Sequence, residues 1–290
     1  MGSGTPGAGS AVRARFGFVT LSLAFSPCPN DTFVFHALTH GLVAGAPGFD
    51  VTFADVDVTN TAALNGEFDL VKVSYAALPW LLDKYTLLPC GGALGRGCGP
   101  LVLVKDQSIS SLGGRSVAVP GDRTTAYLLM RLWSAGDPPA SVEIVPFAEI
   151  MPAVAAGRFD AGLVIHEARF TFQRYGLHAL ADLGEWWEND TGLPIPLGAI
   201  IAHRDRVDAE QATAWIKESV RLAWENPRAS RDFVLDHAQE MEQPVVDQHI
   251  ALYVNEFTAS LGPDGHAAVD ALLNRAAAEG LVPTTPLVRA

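Results

Sequence analysis

The sequence predicts a two-lobed α/β fold, with a second lobe inserted into the first, two hinge crossings and a ligand cleft between the lobes. Three features carry that prediction. Short apolar runs alternate with helix-like stretches up to about His203, the pattern of layered α/β chains. Within that series one pattern occurs twice: Gly66-Glu67-Phe68-Asp69 precedes an apolar run ending at Ser74, and Gly157-Arg158-Phe159-Asp160 precedes one ending at His166. The turn Pro29-Asn30-Asp31-Thr32 likewise has its echo in Gly121-Asp122-Arg123-Thr124, each before a helix. Finally, the chain after His203 is helical and long enough to return over the first lobe. The boundaries that follow are a disordered, Gly/Ser/Ala-rich tail over 1–16, a first lobe from 17–103 plus 204–290, and an inserted lobe over 104–203. The crossings fall near 101–105 and 197–203.

The elements follow in order. A strand is predicted over 18–25, then a turn over 26–32 with Asn30 or Asp31 as N-cap, because short polar side chains accept from the first helical N–H groups. A helix runs over 33–43, a strand over 49–56 and a short helix over 57–64. A strand at 68–73 reaches Ser74 and a helix follows over 75–83. Next come a strand at 85–89, a glycine-rich loop at 91–99 and a strand at 100–105. The second series has strands at 115–119, 142–145, 159–165 and 177–183, and helices at 125–134, 148–156, 167–175 and 185–190. A strand at 197–203 closes it. An Asp N-cap opens a helix at 208–224, and prolines punctuate three more, at 228–238, 245–257 and 265–278.

The 290 residues are 49% hydrophobic and 18% charged, ample for a globular core. A formal net charge of -12 argues against nucleic acid or an anionic membrane surface as partner. A small anionic ligand is still allowed, since helix N-termini can bind it locally. No run of about twenty apolar residues marks a membrane span. Three cysteines, Cys28, Cys90 and Cys98, with no C-x-x-C pair, suit a reducing compartment. Arg13 and Arg15 followed by an apolar run and Cys28 imitate a lipoprotein signal poorly, since Pro27 precedes the cysteine. A cytoplasmic protein is the expectation, as a monomer or a homodimer.

Chemistry is expected where strand ends of both lobes meet helix starts, as in open α/β sheets. His166 at the end of its strand is a candidate acid/base near neutral pH. Ser74 occupies the matching end in the other lobe. Helix starts after Asn30-Asp31-Thr32, after Ser74 and after Thr124-Thr125 offer N–H groups and hydroxyls for a small carboxylate-bearing substrate. Glu167, next to His166, either joins the site or caps its own helix. A G-x-x-x-x-G-K-[ST] phosphate loop and a G-x-S-x-G elbow are missing. His36 and His40 have zinc-like spacing, but Ala37 stands where H-E-x-x-H needs glutamate. No metal is expected.

Ser26-Pro27-Cys28-Pro29-Asn30-Asp31-Thr32-Phe33, Ile165-His166-Glu167, Asp182-Leu183-Gly184-Glu185-Trp186-Trp187 and Pro194-Ile195-Pro196-Leu197-Gly198 together resemble the 1,4-dihydroxy-6-naphthoate synthases of the futalosine route to menaquinone. That resemblance implies a periplasmic-binding-protein-like fold of type II, used as an enzyme without cofactor. It implies cleavage of cyclic dehypoxanthine futalosine to 1,4-dihydroxy-6-naphthoate and dihydroxyacetone, with His166 as the general base. It also implies that Lys72 and Ser74, Gly97, Cys98 and Gly99, and Thr124 and Thr125 line the cleft. The alternatives are chorismate dehydratase of the same pathway, a non-catalytic solute-binding protein, and an effector-sensing module.

Overall fold

The computed structural model describes residues 20–238 and 242–286. The expected tail, 1–16, lies outside the described residues. Eleven strands are found among them: β1 (Thr20–Phe25), β2 (Gly48–Phe53), β3 (Leu70–Ser74), β4 (Tyr85–Leu87), β5 (Ala93–Gly95), β6 (Leu101–Val104), β7 (Ser116–Val119), β8 (Ser141–Ile144), β9 (Ala161–Val164), β10 (His178–Asp182) and β11 (Ile195–His203). They form two sheets. The first has the order β2-β1-β3-β11-β4, with β5 also on β11, and the second has β8-β7-β9-β6-β10. In each, three parallel strands precede an antiparallel fourth: β11 against β3, and β6 against β9. The two sheets thus share one topology, as the sequence echo anticipates.

The echoed Gly-x-Phe-Asp has the same physical role both times. Gly66 and Gly157 follow α2 (Val56–Asn65) and α4 (Phe147–Ala155) at φ of 73° and 76°, the left-handed conformation that glycine adopts without strain. Each aspartate then clasps a serine of the neighbouring parallel strand, β1 or β7. Ser22 donates to Asp69 Oδ2 through N (2.8 Å) and Oγ (3.0 Å), and Asp69 N donates to Ser22 Oγ (2.9 Å). Ser116 and Asp160 repeat all three bonds, at 2.8, 2.9 and 3.1 Å. The clasp sets where β3 and β9 start, and therefore where Ser74 and His166 end up.

Sheet membership moves both crossings. β6 stands in the second sheet and β11 wholly in the first. The chain therefore crosses between Gly95 and Leu101 and returns between Asp182 and Ile195, not at 101–105 and 197–203. The remaining helices are α1 (Pro29–Thr39), α3 (Thr125–Trp133), α5 (Ala168–Thr171), α6 (Leu183–Thr191), α7 (Ala209–Glu225), α8 (Arg231–His237), α9 (Gln243–Tyr253), α10 (Glu256–Ala259) and α11 (Gly262–Ala278). The C-terminal helices return to the first sheet's side. Ser219 of α7 bridges α1, donating to Val34 O (2.6 Å) and accepting from Leu38 N (3.2 Å).

Several elements differ from expectation for local reasons. The helix predicted at 75–83 is a 3₁₀ turn, Tyr75–Trp80, because Pro79 removes a helical donor. That predicted at 167–175 is the single turn α5 followed by a 3₁₀ turn. That at 245–257 breaks at Asn255, which caps α10 through a capping box with Thr258. β5 forms inside the glycine-rich loop. No helix of the described residues is long and apolar enough to cross a membrane.

If the clasp sets strand position, Asp69→Ala loses two bonds to a charged acceptor whose side chain is largely buried. Urea unfolding is expected to show a loss of about 1.5–3 kcal/mol. Asp160→Ala, at the more exposed copy of the clasp, is expected to lose less; an unchanged Asp69→Ala midpoint counts against the role.

Candidate active site

A cleft of about 670 Å³, open mouth included, lies between the sheets. Its lining comes from both: Ser26, Asn30 and Asp31 from the β1–α1 turn, Lys72 and Ser74 from β3, Thr124 and Thr125 from the start of α3, and Ile165 and His166 from the end of β9. The helical tail adds His249 and Tyr253 from α9. Seven of the expected site residues are thus brought together: Asn30, Lys72, Ser74, Cys98, Thr124, Thr125 and His166.

The Ser26–Phe33 stretch folds as it does because prolines flank Cys28. Pro29 occupies the first helical position, and Cys28 before it is extended (φ -63°, ψ 149°), so Cys28 is the N-cap. The expected caps, Asn30 and Asp31, fall instead in the first turn, which leaves their side chains for the cleft. Asp31 forms an ion pair with Lys72, both buried. Ser26 Oγ donates to Asp31 Oδ2 (3.1 Å) and Asn30 Nδ2 to Asp31 Oδ1 (2.7 Å). His249 Nε2 lies 2.9 Å from Asn30 Oδ1. Gly198 makes room for the lysine: a Cβ there would come within 3.0 Å of Lys72 Cε.

His166 is the one non-glycine residue with positive φ among those described, at 54°. Such a conformation costs on the order of 1 kcal/mol and concentrates at functional sites. It turns the chain sharply off β9 and leaves the ring lining the cleft, edge-on to Phe147 at 5.4 Å. Burial, and secondarily the Lys72 ammonium, push its pKa down to about 4. The imidazole is therefore neutral at physiological pH.

The hydroxyls are largely engaged. Thr124 caps α3, donating to Gly121 O (3.0 Å) and accepting from Tyr127 N (3.2 Å). Thr125 Oγ1 donates to Leu197 O (2.7 Å) and accepts from Ala76 N (3.2 Å), tying α3 to the first sheet. Ser74 is held by Asn60, which accepts from its N (2.8 Å) and donates to its Oγ (3.1 Å).

Three expected residues do not line the cleft. Gly97 N donates to Glu188 Oε1 (2.6 Å) on the exposed side. Gly99 packs backbone to backbone on Gly184, where a Cβ would meet N at 2.1 Å. These glycines serve the crossing segments: Arg169 donates to Gly99 O (2.7 Å) and pairs with Asp182 (2.5 Å), which caps α6. Buried Trp187 donates to Pro194 O (3.0 Å), so the Asp-Leu-Gly-Glu-Trp-Trp motif braces the crossings. Glu167 is buried behind His166, with Oε2 3.9 Å from Cys28 Sγ across the lobes. Cys28, Glu167 and His166 bring donor atoms within 4.8 Å of one another, a set a divalent cation could share. Burial, then Glu167 and Asp31, push the Cys28 thiol well up, so it is protonated in the metal-free protein.

Sequence reasoning missed Asp31, Ser26, His249 and Tyr253 as cleft residues. Asp31 and Ser26 sit inside the motif that was singled out. His249 carries no local signal.

A family model described as menaquinone biosynthesis matches residues 21–278. A 1,4-dihydroxy-6-naphthoate synthase of Streptomyces coelicolor is 64% identical over 270 residues, covering 91% of this chain and 95% of the relative. The Thermus thermophilus enzyme of that name is 45% identical, covering 92% and 97%. Among solved structures, protein AF1704 of Archaeoglobus fulgidus superposes with a TM-score of 0.85 at 34% identity, covering 91% of this chain and 98% of its own. The alkanesulfonate-binding protein SsuA of Xanthomonas axonopodis superposes at 0.69 with 16% identity, covering 93% and 96%. The latter likeness identifies the fold as periplasmic-binding-protein-like.

All three cysteines are buried, and burial pushes the Cys90 and Cys98 thiols up to about 12 as well. A chromogenic disulfide reagent at pH 8 is expected to find no fast thiol in the folded protein and three after denaturation. One rapidly titrating thiol in the native state would contradict this arrangement.

Proposed function

The chain belongs to the menaquinone-biosynthesis family, together with the two 1,4-dihydroxy-6-naphthoate synthases it resembles over nearly its whole length, and from that premise we propose that it cleaves cyclic dehypoxanthine futalosine to 1,4-dihydroxy-6-naphthoate and dihydroxyacetone with His166 as general base. The observation that carries the reading is the place of His166 in a left-handed turn at the cleft wall, where burial favours the neutral imidazole. A neutral imidazole can accept a proton from carbon without first losing one. The three-carbon fragment then departs with the bonding pair as an enediolate and takes a proton to become dihydroxyacetone; the ring left behind is aromatic, which drives the step downhill. The chain's part is to place the base, orient the substrate and exclude water. This carbon–carbon lyase reading invokes no cofactor, because proton removal and bond cleavage need only the base and the substrate's own electrons. Closing of the lobes around the substrate would supply the water exclusion, and a cytoplasmic setting fits a soluble biosynthetic substrate.

Purified protein incubated with the cyclic substrate is expected to release the naphthoate, followed by its absorbance. Tight binding without product would favour the solute-binding alternative. His166→Ala is expected to lower kcat by about 10²- to 10⁴-fold while leaving substrate affinity nearly intact; wild-type-like turnover removes His166 from the mechanism. The pH profile gives an independent check. A base whose pKa is depressed to about 4 stays competent as pH falls through 6.5, so kcat/KM should be flat there and decline only near pH 4. An acid limb centred near 6.5, the ordinary imidazole value, would show that burial does not depress this base.

A further inference from the structure

His249 is buried, lines the same cleft as His166, and has no part in the mechanism above. Its tautomer follows from a chain of forced choices. A carboxylate only accepts hydrogen bonds, so the Asn30 group facing Asp31 at 2.7 Å is the amide nitrogen. The Asn30 oxygen therefore faces His249 Nε2 at 2.9 Å, and Nε2 carries the proton. Burial, then His166 and Lys72, hold the ring's pKa well below the usual range, so the ring is neutral and Nδ1 is a bare acceptor. Nδ1 is buried and finds no hydrogen-bond partner among the described residues. The ring cannot easily turn to find one: it is tilted against Tyr253 at 4.5 Å and meets Phe170 edge-on at 6.2 Å. A buried acceptor left unmet is costly, which points to a partner on the ligand.

We propose that His249 Nδ1 accepts a hydrogen bond from a substrate hydroxyl, so that the hydroxyl-bearing three-carbon end of the substrate lies on the His249 side of the cleft. A carboxylate cannot sit there, because it too only accepts. The acid group itself is therefore met elsewhere in the cleft. This inference rests on the proposed reaction and adds the orientation of the substrate within it.

His249→Gln separates the substrate role from a structural one. A glutamine amide can still donate to Asn30 but presents nothing at the Nδ1 position. It is expected to keep the melting temperature and to lower kcat/KM by about 10- to 100-fold. Unchanged kcat/KM with wild-type turnover intact overturns this inference alone; no turnover by the wild type overturns the parent reading and this one with it. Should the variant fail to fold, nitrogen-15 histidine NMR on His166→Gln protein decides. The His249 Nδ1 resonance should be that of an unprotonated nitrogen and should move when cyclic dehypoxanthine futalosine saturates the site. A protonated Nδ1, or one that ignores the substrate, overturns the proposal.

Discussion

The ion pair between Lys72 and Asp31 is the constraint around which this cleft is built. Two charges removed from water cost several kcal/mol each unless the remaining lone pairs and protons are matched. Here they are matched locally: Ser26 and Asn30 both donate to Asp31, and Gly198 leaves space for the lysine stem. The pair is not an obvious source of stability. Its effect is to impose order, since a fixed carboxylate decides which way Asn30 faces, and Asn30 in turn decides the His249 tautomer. The same ammonium helps keep His166 neutral. That charge thus adds to burial in keeping both cleft histidines neutral.

Around that pair the molecule is a duplicated frame with unequal ends. The serine–aspartate clasps, the left-handed glycines and the sheet orders are alike in both halves. What differs is the residue that each frame delivers. The first sheet ends its strand on Ser74, held by Asn60; the second ends on His166, turned into a conformation that costs energy. The proposed chemistry rests on this difference, on a fold like that of binding proteins such as SsuA.

Much of the frame was legible in the sequence, because its causes are local. Gly-Glu-Phe-Asp and Gly-Arg-Phe-Asp specify a helix stop, a ring packed on the core and a strand start within a few residues. His166 could be singled out from its place at a strand end, and Lys72, Ser74, Cys98, Thr124 and Thr125 from motif. Where local reasoning misjudged, a neighbour outranked propensity. Asn30 and Asp31 looked like caps, yet the fixed geometry of Pro29 moved the helix start upstream of them. Gly97 and Gly99 came with the family resemblance rather than from local pattern, and Gly99 is small because another backbone passes against it at Gly184.

By itself the sequence determined the alternation of strands and helices, the repeated frame and the histidine at the end of its second copy. These depend on backbone preferences and apolar periodicity over short distances. The tertiary structure alone decided which polar groups meet. Asp31 finds Lys72 across 41 residues, and Asn30 finds His249 across 219. The first depends on β3 pairing beside β1 and the second on how α9 docks beside α1, matters of packing that no local pattern encodes.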